Sequence, residues 1–68
     1  MEMWGEIGTA AGKIYSGFVG AAPATIQLVK RKTGLDDVMM YLAIGWLARE
    51  GKAQITSEKG ALRIKINE

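Results

Sequence analysis

Few groups in this chain could do chemistry, and most of those are cations. Its 68 residues include no His and no Cys, so thiol nucleophiles, imidazole bases and zinc sites built on those ligands are excluded. Asp36-Asp37 is the adjacent acidic pair. Neighbouring helix residues point about 100° apart, so the two carboxylates do not converge on one atom. A helix cap and a charge complementing the helix dipole explain them better than a metal site. The run GTAAGK, Gly8–Lys13, resembles a phosphate-cradling loop only faintly, because no strand leads into it and no Ser or Thr follows the lysine. No catalytic residue, cofactor, metal or small-molecule substrate is expected.

The cations are unevenly placed. Lys30-Arg31-Lys32 closes one helical segment, Lys59 falls in a turn, and Arg63 and Lys65 alternate along a strand. Cations in such flanking positions contact nucleic-acid phosphates without reading sequence. Lys30, Arg31, Lys32, Lys59, Arg63 and Lys65 are therefore the candidate nucleic-acid contacts, against the plainer reading of a solvated charged face. Nine basic and seven acidic residues leave a net charge of +2, too mild to imply a nucleic-acid or membrane partner alone.

These residues must be positioned by a small set of elements. Trp4, Ile7, Ala11, Ile14, Tyr15 and Phe18 recur at helical spacing, which predicts a first helix over about Met3 to Val19 with Trp4, Tyr15 and Phe18 in the core. Gly20-Ala21-Ala22-Pro23 interrupts the pattern. A second helix runs from Ala24 or Thr25 to Thr33, with Leu28 in the core and Gly34 as a left-handed stop. Asp36 caps a third helix that ends before Gly51. The period then changes from 3.6 to 2. Ala53, Ile55, Leu62, Ile64 and Ile66 share one side, Gln54, Thr56, Arg63 and Lys65 the other, and Ser57-Glu58-Lys59-Gly60 makes the turn. The expected fold class is α+β, three helices followed by a two-stranded β-hairpin, in one domain over residues 1–68.

The third helix has no polar side. Met40, Ala43, Ile44 and Leu47 form one apolar stripe, while Val38, Leu42 and Gly45 fall opposite, flanked by Tyr41 and Trp46. A helix apolar all round is normally buried in a larger protein, and 68 residues cannot wrap it. Without a disulfide, assembly is the remaining support for so small a core. A homodimer through Val38, Tyr41, Leu42, Gly45, Trp46 and Arg49 is the expectation. The competing readings are cover by the chain's own Met1 to Trp4 or first helix, and a different protein partner. The same face lacks Arg, Asn or Gln to read base edges and shows Asp36 and Asp37 at its entering end, which repel phosphate. No stretch reaches the roughly 20 apolar residues that span a bilayer, and Glu2 and Glu6 precede any apolar run, unlike a secretory leader. The chain is read as cytoplasmic and without a membrane partner.

AIGWLAREGK, Ala43 to Lys52, and GxxAGKIY, Gly8 to Tyr15, carry a resemblance to a small family of bacterial and archaeal winged helix-turn-helix proteins of unassigned function. The resemblance spans nearly the whole chain. It implies a winged-helix fold and a binding role, and no reaction. In such domains the second helix usually starts on a Ser or Thr cap; Ala24 stands at that position here, with Thr25 available one residue later.

Overall fold

The computed structural model describes residues 3–68. Helix α1 covers Trp4–Phe18 and buries Ala10, Ala11, Ile14 and Phe18. A short strand, β1 (Ala24–Thr25), leads directly into α2 (Ile26–Thr33). Thr25 is the cap: its Oγ1 accepts the Leu28 N–H at 3.2 Å, satisfying one of the orphan donors of the first turn. Gly34 ends α2 at φ 72°, and its N–H donates to the Lys30 carbonyl at 2.8 Å. That left-handed backbone is open to glycine without a side-chain clash, so the chain reverses at once into α3 (Asp37–Arg49). Asp36 caps α3, its Oδ1 accepting the Met39 N–H at 2.8 Å.

Strands β2 (Ala53–Glu58) and β3 (Ala61–Ile66) form the wing. Lys59 and Gly60 connect them with φ 52° and 82°. Two consecutive left-handed residues make the tight hairpin turn whose twist suits antiparallel strands. The expected two-stranded sheet is corrected to three strands in the order β1-β3-β2. Ala24 pairs with Ile64 and Thr25 with Arg63, which closes part of the open β3 edge and turns Ala24 into the core.

Met40, Ala43, Ile44 and Leu47 of α3 form the centre of the core, as their spacing predicts. They pack with Ile14 and Phe18 of α1, Val29 of α2 and Ile64 and Ile66 of β3. Two expectations about burial fail. Trp4, the first residue of α1, is 61% exposed although its ring meets that of Trp46. Leu28 is 38% exposed: α2 meets the core along one line, at Val29, and the preceding residue lies about 100° around the helix. Ile55 and Leu62 also remain exposed, since the apolar side of the wing continues past the helices that cover Ala53, Ile64 and Ile66. Among the described residues, no helix is long and apolar enough to cross a membrane.

Candidate interaction surface

The buried stripe of α3 fixes what its opposite side presents. Val38 is 67% exposed, Tyr41 51% and Leu42 41%, with Gly45 and Arg49 exposed along the same line. Trp46 lies at the edge of this face and is half-buried. The ring of Trp4 stands against it at 5.5 Å between centroids, tilted by 53°. Tilted rings at this spacing place the edge of one toward the face of the other. Cover by the chain's own N-terminal region therefore reaches Trp46 through Trp4, but among the described residues leaves Val38 and Leu42 open; Met3 is itself 38% exposed, and Met1 and Glu2, also part of that expected cover, lie outside the described residues. On the other flank, Tyr41 shares a shallow groove with Ile26 and Leu62. The six residues expected at an interface are thus brought together on one side of one helix. Leu62 carries the exposed apolar surface onto the wing, where Ile55 is exposed as well. Alternating hydrophobicity marked them as apolar-facing without indicating where the helices stop covering them.

Gly45 adds a notch to this surface. A side-chain carbon built there would meet nothing within 4 Å. The chain's own packing therefore does not require glycine, although glycine in a helix interior costs about 1 kcal/mol relative to alanine.

The basic residues are not brought together in the same way. Lys30 Nζ sits 2.7 Å from Asp37 Oδ1, bridging the end of α2 to the start of α3. The hydrogen bond to Asp37 and its charge raise the Lys30 pKa above the usual 10.5. Lys32 Nζ donates to the Gly17 carbonyl at 2.9 Å and lies 4.9 Å from the centre of the Phe18 ring. Lys65 Nζ donates to the Ala21 carbonyl at 2.6 Å. Arg63 lies between Thr25 and Thr56 in the sheet register, and its Nε is buried with no hydrogen-bond partner among the described residues. Lys59 is at the wing tip, and Arg31 lines a shallow hollow with Gln27, Gly34 and Leu35. Three of the six candidate phosphate contacts thus hold groups within the chain. The acidic pair is likewise divided, Asp36 capping α3 and Asp37 holding Lys30.

A short turn joining α2 to an α3 that packs across α1, followed by a β-hairpin wing, defines a winged helix-turn-helix protein. The sequence comparison agrees: the chain belongs to the winged helix-turn-helix domain family DUF2582, whose model matches residues 1–66. It is 40% identical over 67 residues to MJ1608 of Methanocaldococcus jannaschii, described only as an uncharacterized protein, with 96% of each chain covered. Protein BT2368 from Bacteroides thetaiotaomicron, solved by solution NMR, has the same fold, with a TM-score of 0.83 and 33% identity over 97% of this chain and 79% of that one.

Proposed function

We propose that this chain is a non-catalytic winged-helix binding module that pairs with a second copy of itself through the outward face of α3. The observation that carries the reading is the exposure of Val38, Tyr41 and Leu42 at 67%, 51% and 41% on one uninterrupted line of that helix. Contiguous apolar surface of this kind marks interaction sites, and aromatic and Arg side chains are enriched at interface centres. A symmetric pair is the commonest way for identical chains to cover such a face. A stable interface takes about 800 Å² from each partner. That is roughly a sixth of the 4570 Å² this chain exposes.

Sedimentation equilibrium tests the proposal directly. The expected mass is that of two chains, and Leu42→Glu should reduce it to one while circular dichroism retains the helical signal. A wild-type mass of one chain across the accessible concentrations, or an unchanged mass in the variant, would refute it.

A second reading, weak contact with nucleic-acid backbone, is supported by the winged-helix fold and by Arg31, Lys59 and Arg63, which no hydrogen bond or ion pair commits elsewhere among the described residues. Each phosphate contact lowers log affinity by about 0.9 per unit of log salt, so three cations give a slope of about −2.7 per chain. A titration of duplex DNA at low and moderate salt measures this slope. Absence of binding at both leaves assembly as the module's role.

A further inference from the structure

We infer that two copies pack α3 against α3 in antiparallel register, with Leu42 of each chain opposite the partner's Gly45 and Val38 opposite the partner's Arg49. This rests on the homodimer reading above and adds its geometry.

The argument begins with spacing. Val38, Leu42, Gly45 and Arg49 are separated by four, three and four residues, all exposed. That is the alternation of a two-helix seam, in which a side chain of one helix enters a gap in the other. A seam with this spacing suits two helices crossing at about 20°. In the antiparallel arrangement the two kinds of seam position face each other, and the large Leu42 meets the notch at Gly45. This gives the glycine a use that the single chain does not supply, since a carbon added there touches nothing.

A parallel arrangement sets like against like. Two Gly45 positions would face across an empty gap, two Arg49 side chains would meet, and the Asp36–Asp37 ends would lie side by side. Each contact is unfavourable, the first through lost packing and the others through like charge. Reversing one helix removes all three problems. Arg49, in the last turn of α3, then approaches the acidic first turn of its partner. Asp37 already holds Lys30 at 2.7 Å, but a carboxylate has about four acceptor positions and can take a second cation. The helix dipoles also oppose each other in this arrangement, placing each positive end beside a negative one.

Disulfide trapping decides the register. The chain has no cysteine, so introduced thiols are unambiguous. Val38 and Arg49 are exposed and their substitution leaves the core intact. In the antiparallel register the two Val38 positions are about 16 Å apart along the helix, eleven residues at about 1.5 Å each. A disulfide needs Cα atoms within about 7 Å. Under mild oxidation the Val38→Cys/Arg49→Cys double variant should give a covalent dimer on a non-reducing gel, and Val38→Cys alone should give none. Sedimentation of the wild-type chain tests the homodimer itself, and trapping is done at a concentration where the reduced variants sediment as two chains. A single-chain mass for the wild type refutes the homodimer and with it this register. A two-chain mass in which Val38→Cys links by itself, or in which the double variant fails to link, leaves the homodimer standing and overturns the register.

Discussion

Replacing Gly45 by alanine should stabilise the single chain and weaken the pair, and the opposite signs make the substitution informative. Gly45 lies in the interior of α3, where alanine is favoured over glycine by about 1 kcal/mol. The added carbon finds open space, with no atom within 4 Å, so no clash offsets the gain. In a domain of this size, about 1 kcal/mol raises the melting temperature by roughly 4–8 °C. The assay is thermal unfolding followed by circular dichroism in a Leu42→Glu background, which holds the chain single. Comparing variants within that background removes the effect of the Glu itself. Gly8→Ala and Gly12→Ala serve as comparators, because both positions also face open space in the interior of α1. In the wild-type background, Gly45→Ala should instead lower the mass observed at a given concentration, since the notch is filled. A fall in melting temperature for the single chain would mean that another part of the protein occupies the space over Gly45, and the reasoning about this face would fail.

Two further outcomes bear on the fold. Leu47→Ala removes a side chain only 3% exposed at the centre of the core and should cost about 2–5 kcal/mol, read from the urea midpoint. A cost below about 1 kcal/mol would show that the site is not packed as described. The Lys30–Asp37 pair raises the lysine pKa above 10.5, so its contribution is fully present below 10.5 and is lost as pH rises through the folded-state value. Asp37→Asn should flatten that alkaline decline in stability, and added salt should shrink it, because both side chains are exposed. An unchanged alkaline profile in Asp37→Asn would exclude the pair as its source.

Features legible in the sequence share a physical property: each is settled within a few residues. Asp36 reaches a backbone N–H three positions ahead, Thr25 does the same, and Gly34 and Gly60 adopt left-handed backbone where a side chain would be strained. The buried stripe of α3 is equally local, because helical geometry alone sets which residues share a side. β1 was not legible. Two residues after a proline carry no periodicity, and they become a strand only because Ile64 and Arg63, some 40 positions later, offer an open edge. Trp4 and Leu28 failed for a related reason: periodicity says which side of a helix is apolar but not how far the neighbouring elements extend to cover it.

The basic residues show the same limit, and their structure bears on what the module binds. Helix α1 has no basic residue in its own last turn. Its C-terminal end carries partial negative charge and carbonyls without helical partners. Lys32 from α2 reaches the carbonyl of Gly17 there, from 15 positions away, and Lys65 from β3 reaches the carbonyl of Ala21 in the loop that follows, from 44 positions away. Of the cations that read in sequence as a phosphate-binding rim, one thus stabilises the end of a helix and another ties down the loop after it. Both ammonium groups are hydrogen-bonded within the chain, while the helix that a DNA reader would present to the major groove offers Val38, Tyr41 and Leu42, behind the acidic Asp36 and Asp37. Acidic groups repel phosphate, and exposed apolar side chains gain most from meeting others of their kind. This distribution favours protein over nucleic acid as the occupant of the outward face of α3.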